Sequence, residues 1–247
     1  MQKLISFSFP FVFLFGCLSS ENTNKNDPQW IIDQAIKAYG GEKFSHAEIA
    51  FTFRDRAYIS IRNGGDYQYE RLFEENGDSV RDVLNNQGFY REINQVRTEI
   101  PDSMAVKYSN SVNSVIYFSV LPFGLNDPAV RKKYLAQVQI KDISYHKIEV
   151  SFDQEGGGED FNDLFVYWFR TDNFRMDYFA YRYYTEEGGI RFREAYNTRT
   201  VGGLVFSDYI NYQADPEKFS VEETDRLFEE NKLEPLSRIE LEQVVVH

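Results

Sequence analysis

Few side chains in this sequence titrate near neutrality: three histidines, His46, His146 and His247, and one cysteine, Cys17. His146, beside Lys147 and three residues from Glu149, is the candidate for acid–base work, and a hydrolase would have to act through it and a nearby carboxylate. In an extended segment side chains alternate, so His146 shares a face with Ile148 and Val150 and reads first as a packed, hydrogen-bonded histidine. The chain has no G-x-S-x-G elbow, H-E-x-x-H, P-loop or C-x-x-C. No catalytic residue is therefore assigned beyond the weak candidate His146, and no cofactor is expected.

Two charged groups remain. Asp153, Glu155, Glu159, Asp160 and Asp163 surround Gly156-Gly157-Gly158, where carboxylates on a turn could hold Ca²⁺. Their spacing fits no EF-hand loop, so a solvated hairpin tip is the simpler reading and no metal site is expected. Arg182, Arg191, Arg193 and Arg199 fall on neighbouring extended segments. They could meet a carboxylate or phosphate headgroup at a cavity mouth, or pair across strands with Glu186, Glu187 or Glu194. Between Phe165 and Tyr212 the strands carry rings on both faces: Tyr178 and Tyr184 point one way, Phe179, Tyr181 and Tyr183 the other. Such a sheet is covered on both sides, or has one side lining a cavity. A concave ligand surface there would draw on Trp168, Tyr178, Tyr181, Arg193 and Tyr196.

Cys17 has a different chemistry. Lys3 and the apolar run Leu4 to Phe15 have the anatomy of a signal peptide. The run reaches about 18 Å as a helix, against a hydrocarbon core of about 30 Å, so it is short for a permanent span. It ends in Leu14-Phe15-Gly16-Cys17, which resembles the lipobox of bacterial lipoproteins, with Phe15 where a small residue is usual. An ordinary signal peptidase would find only Cys17-x-Ser19, because no alanine precedes Ala35. Residues 1–16 are therefore expected to be a lipoprotein signal peptide. Residues 17–27 would be the lipidated cysteine and a polar tether, and residues 28–247 a single domain. Acyl chains on Cys17, at about 0.8 kcal/mol per buried methylene, would give a lasting anchor. The expected location is the bacterial cell envelope, lipid-anchored to a membrane, the outer membrane being the expected one, and Leu18-Ser19-Ser20-Glu21 assigns no leaflet. With no second cysteine the folded part can form no disulfide, so its stability must come from its core. A formal charge of −12 argues against nucleic acid or anionic headgroups as electrostatic partners.

The elements that must position these residues are mainly strands with a few helices, an α+β pattern. Asp27-Pro28 opens a helix whose Trp30, Ile31, Ala35, Ile36 and Tyr39 recur at helical spacing, and Gly40-Gly41 stops it. From His46 the period becomes two, with Asn63-Gly64-Gly65 and Asn76-Gly77 as turns, and strands are predicted at 81–85 and 89–94. Pro101-Asp102-Ser103 opens a second helix through Met104, Tyr108, Val112, Val115 and Ile116, although Val115 to Leu121 could form a strand instead. Strands follow at 134–141, 145–152, 164–170, 174–184, 190–200 and 204–213. An acidic helix is predicted over 216–231 and a last strand over 238–246.

The tracts Tyr145-His146-Lys147-Ile148-Glu149-Val150, Asp163 with Tyr167-Trp168-Phe169, Arg191-Phe192-Arg193-Glu194-Ala195-Tyr196-Asn197 and Gly202-Gly203-Leu204 resemble an uncharacterised lipoprotein family common in Bacteroidetes, a domain of unknown function. That resemblance implies an architecture similar to the Lol lipoprotein carriers: a strongly curved antiparallel sheet, an incomplete barrel, wrapped around helices that plug its concave side. It implies no catalytic residues, and fold alone transfers no function. Three readings follow. The protein binds a lipid or other apolar molecule in its half-barrel; or it is a scaffold with an envelope protein partner, its cavity filled by Met104, Tyr108, Val112 and Ile116; or it is a hydrolase using His146. The lipid anchor is directly testable: Cys17→Ala should move the protein from the membrane to the soluble fraction and remove the acyl mass, and a variant that stays membrane-bound would refute it.

Overall fold

The structure, a computed structural model, describes residues 25–155, 161–185 and 187–247. The leader 1–16, Cys17 and the tether as far as Asn24 lie outside the described residues, as do Gly156 to Asp160 of the acidic turn and Glu186. Helix α1 (Pro28–Tyr39) is capped by Asp27, whose carboxylate accepts a hydrogen bond from the Gln29 amide at 3.0 Å. Gly40 ends it at φ 126°, and a Cβ there would lie 2.6 Å from the Leu204 side chain and 2.8 Å from the Gly203 carbonyl. Glycine is thus required both for the turn and for the close approach to a hairpin far along the chain. The last helical residue, Tyr39, is fully packed, and its hydroxyl lies 3.2 Å from both the amide and the carbonyl of Met176.

Six strands then pair in chain order: β1 (Glu48–Phe53), β2 (Arg56–Asn63), β3 (Asp66–Glu75), β4 (Asp78–Asn85), β5 (Gly88–Ile93) and the short edge strand β6 (Val96–Thr98). Helix α2 (Asp102–Ser119) follows, so the β-branched stretch from Val115 is helical as far as Ser119. Val112 and Ile116 are its buried residues, and it lies over β3, β4 and β5. A second antiparallel series comprises β7 (Val130–Ile140), β8 (Ile143–Phe152), β9 (Leu164–Arg170), β10 (Met176–Tyr183), β11 (Gly189–Val201), β12 (Leu204–Ala214) and, after helix α3 (Thr224–Glu229), β13 (Glu234–Ile239). The final strand β14 (Glu242–Val246) returns to the first sheet and pairs with β1.

The chain is therefore mainly β with a few helices, as expected, in two seven-stranded antiparallel sheets that are curved and unclosed. One buried cluster joins α1, α2 and the inward faces of both sheets; it includes Ile31, Phe51, Val112, Ile148, Tyr167 and Phe206.

Two expectations are corrected. The predicted strand 238–246 is two strands in different sheets. The chain crosses at Glu240-Leu241, where the Leu241 amide donates to Asp208 at 2.9 Å, Arg199 holds the Leu241 carbonyl, and the leucine side chain is buried. The predicted helix 216–231 begins only after Ser220, as a 3₁₀ turn at Val221–Glu223 leading into α3. The residues before it form a turn in which Asp215 accepts from the Glu217 amide at 3.0 Å, a side-chain bond that competes with the helix. Ser220 and Glu223 then make a reciprocal capping box.

On the inward face of the first sheet, Arg71, Asp82 and Arg91 face one another across β3, β4 and β5. Asp82 has no exposed surface; it receives Arg71 at 2.5 and 3.0 Å and Arg91 at 2.6 and 3.0 Å. Arg71 also donates to Ser111 of α2 at 2.8 Å, and the Arg91 guanidinium sits 3.7 Å from the Tyr108 ring centroid. The row thus fixes α2 to its sheet. Removing the shared carboxylate leaves two buried cations uncompensated, so Asp82→Asn should cost about 3–5 kcal/mol in urea unfolding. Arg131→Gln, which breaks the exposed pair with Asp153, should cost under about 1 kcal/mol. Equal effects of the two substitutions would refute the assignment.

Candidate functional site

The period-two alternation in the second sheet divides its rings between two surfaces. Outward-facing Trp168, Tyr178 and Phe192 are buried against Val221, Leu227 and Leu233 of the segment around α3, with Phe228 packed alongside. Trp168 donates its indole N–H to Asp225 at 3.2 Å, and Lys147 clamps the same carboxylate at 2.7 Å. Inward-facing Phe165, Tyr167, Phe179, Tyr181 and Tyr209 point toward α2 instead. The ring of Phe118 meets them there, with centroids 5.4 Å from Tyr181 and 5.8 Å from Phe179.

Between that inward surface, the C-terminal half of α2 and strands β1 to β3 lies a cavity of about 860 Å³. This is within the range of roughly 300–1,000 Å³ typical of small-molecule sites. Phe53, Val115, Phe118, Phe152 and Phe165 supply apolar wall, and Asn110, Asn113, Arg62, Arg191 and Arg193 supply polar wall. Asp127 and Asp163 also face it. Burial holds the Asp127 carboxyl above the usual carboxylate range, against the opposing pull of Arg62.

The sequence-predicted ligand residues separate here. Tyr181 and Arg193 come together on the cavity wall, with Arg193 donating to the Tyr181 hydroxyl at 3.1 Å. Trp168 and Tyr178 belong to the opposite face, beneath the α3 segment. Tyr196 lies outside the cavity, its hydroxyl donating to Glu240 at 2.5 Å. Of the acids expected to pair with the arginines, Glu186 lies outside the described residues, and the arginines pair with neither Glu187 nor Glu194: Glu194 takes Lys141 and Tyr212, Arg199 takes Asp208, and Arg191 donates to the Tyr183 hydroxyl. Arg182 instead sits 5.3 Å from the Tyr184 ring centroid. These strands are so rich in tyrosine that hydroxyls two residues along the neighbouring strand are the nearer acceptors. The sequence reading missed Arg62, Tyr67 and Tyr69 on the wall. The signal was present, because Arg62 continues the inward phase of Tyr58 and Ser60, where a solvated strand face would not be expected.

Among the described residues no group of three or more metal-ligating side chains is gathered. None of the described helices is long and apolar enough to cross a membrane. Asp153, from the acidic turn, pairs with Arg131. Met104 and Tyr108 of α2 are half-buried, whereas Val112 and Ile116 are fully packed.

His146 is 5% exposed and stacks nearly parallel on Phe174, ring centroids 6.2 Å apart, with Tyr134 at 6.0 Å. Its Nδ1 is buried with no hydrogen-bond partner. Burial lowers its pKa from the usual histidine value. The unfolded chain therefore takes up this proton first: stability is fully present above about pH 6.5 and declines as pH falls below it. Asp127 and Asp177, raised by burial, act in the opposite sense nearer the carboxylate range. His146→Phe should thus flatten the stability change between about pH 6.5 and pH 5. Urea midpoints at several pH values check this, and parallel curves for the two proteins would rule it out.

A protein-family model described as a family of unknown function, DUF6503, matches residues 8–241. No curated protein matches the chain. Among solved structures, a DUF1329 family protein from Desulfovibrio piger is 12% identical, with a TM-score of 0.50 over 89% of this chain and 93% of that one. A LolA superfamily protein from Nitrosomonas europaea is also 12% identical, with a TM-score of 0.45 over 76% of this chain and 86% of that one. At such identities the Desulfovibrio likeness shows a shared fold alone.

Proposed function

The chain belongs to the DUF6503 family of unknown function, and we propose that it is a lipid-anchored envelope lipoprotein that holds an apolar ligand, a lipid above all, in the cavity between its sheets. The observation that carries this reading is that α2 does not fill the space it faces. Val112 and Ile116 pack down, yet about 860 Å³ remains beside Phe118, Phe165 and Tyr181. The helix brings Val115, Tyr117 and Phe118 to that wall, but Asn110, Asn113 and Ser114 stand beside them, so its side chains line the space without closing it. The packed surroundings of His146 favour no hydrolytic reading. The anchor rests on Cys17 and the apolar run before it.

On this reading the lipidated cysteine and its tether keep the cavity near a membrane surface, where apolar molecules are concentrated. The protein acts as a fixed receptor rather than a diffusing carrier. Native mass spectrometry of residues 20–247, which hold every described element of the fold, should show a lipid adduct after purification or after exposure to a lipid panel. A protein that stays empty throughout would overturn the proposal. Ser114→Trp, which places a large ring in the cavity, should remove the adduct while leaving cooperative unfolding intact.

A further inference from the structure

We propose that the ligand is an amphiphile with an oxyanion head, a carboxylate or a phosphate, and that Arg193 seats that head. This rests on the cavity being a site for an apolar ligand and specifies the polar end of that ligand.

Arg193 is 8% exposed, and its guanidinium lies on the cavity wall. One nitrogen donates to the Tyr181 hydroxyl at 3.1 Å, while Nε is buried and has no partner. Three described arginines are buried to this degree, and the other two, Arg71 and Arg91, share Asp82. Arg193 has no carboxylate within ion-pair distance among the described residues. Arginine keeps its proton under all ordinary conditions, so this is a buried charge with no counter-charge among the described residues.

The rest of the wall points the same way. Arg62 and Arg191 also face the cavity, and each donates to a tyrosine hydroxyl, Tyr69 and Tyr183, rather than to a carboxylate. Among the described residues the wall carries four arginines against two aspartates, in a chain whose formal net charge is −12. Among the described residues these three arginines are held by neutral hydroxyls rather than by acids, which leaves Nε of Arg193 for a ligand. The planar fork of guanidinium N–H groups suits the paired oxygens of a carboxylate or phosphate. The apolar part of the site adjoins this head position, because the Arg193 guanidinium lies 4.3 Å from the Phe118 ring centroid and 5.3 Å from that of Tyr181. Head and chain would therefore be recognised side by side.

The test uses residues 20–247 and four probes: palmitate, hexadecyl phosphate, hexadecanol and inorganic phosphate, with affinities measured by displacement of a fluorescent fatty acid. The proposal expects at least one of the two anionic chains to bind about tenfold or more tighter than hexadecanol, and inorganic phosphate not to compete. Arg193→Met should bring that anion down to the affinity of the alcohol and leave alcohol binding unchanged; Arg193→Lys should retain part of the preference. Equal binding of acid, phosphate and alcohol by the unaltered chain would overturn the anionic head while leaving the apolar site standing. Binding of none of the three chains would remove the apolar site, and this inference with it. Competition by inorganic phosphate at the same concentration as the chains would show an anion site with no need of an amphiphile, and would also overturn the proposal. If neither Arg193 variant unfolds cooperatively, the comparison of acid and phosphate with alcohol on the unaltered chain decides alone.

Discussion

Strands β8 to β12 carry large apolar side chains on both faces, and a sheet of that kind cannot leave either face in water. Trp168, Tyr178 and Phe192 on one side and Phe165, Tyr167 and Phe179 on the other must each find cover. The outward side is covered by a local solution, in which the segment around α3 folds back and Lys147 and Trp168 hold it through Asp225. The inward side is covered by distant parts of the chain, α1 and α2 together with the first sheet. Most of the architecture follows from that division. Tyr39 ties α1 to Met176, and Gly40 lets the helix end press against the hairpin at Gly203-Leu204.

Inward cover is incomplete in a particular way. Sheet and helix meet closely where α2 lies on the first sheet, because Arg71, Asp82 and Arg91 replace apolar packing with a charge row anchored to Ser111 and over Tyr108. Such a row demands tight geometry and holds α2 toward β3 to β5. The helix is then kept from closing fully onto the aromatic face of the second sheet. Phe118 bridges the gap to Tyr181 and Phe179, and the space beside it is the cavity. Stability in one sheet and emptiness beside the other have a common origin in the placement of one helix.

The strands and their order were legible because their alternation is strong and most hairpins are marked. Asn63-Gly64-Gly65 and Asn76-Gly77 announce their turns. Arg54-Asp55 and Lys141-Asp142 do not, although both pairs adopt positive φ at both residues, from 48° to 64°. With aspartate alone, and neither glycine nor asparagine beside it, the local signal for such turns is weak. The division of residues 234–246 between two sheets was also hidden, because the crossing depends on Asp208 and Arg199, which no local pattern connects to Leu241. At the site, alternation alone separates Tyr181 from Tyr178, but deciding which face is closed by a neighbour requires knowing where α3 packs. Arg193 was identifiable as a candidate from its setting among aromatic strands. Its unpaired Nε follows from side-chain positions that no sequence pattern specifies.

The return of β14 to the first sheet ties together the far parts of the chain. Residues 48–53 are bordered on one side by their sequence neighbour and on the other by residues 242–246, with His247 and Glu48 exchanging backbone hydrogen bonds at 2.9 and 3.2 Å. A strand that must wait for so distant a partner forms a contact of high sequence separation, so the first sheet is completed only after residues 242–246 have been made. Until residues 242–246 arrive, β1 presents an unpaired edge of the kind that recruits other strands. An N-terminal fragment ending before Leu241 would therefore be a template for aggregation rather than a smaller stable protein.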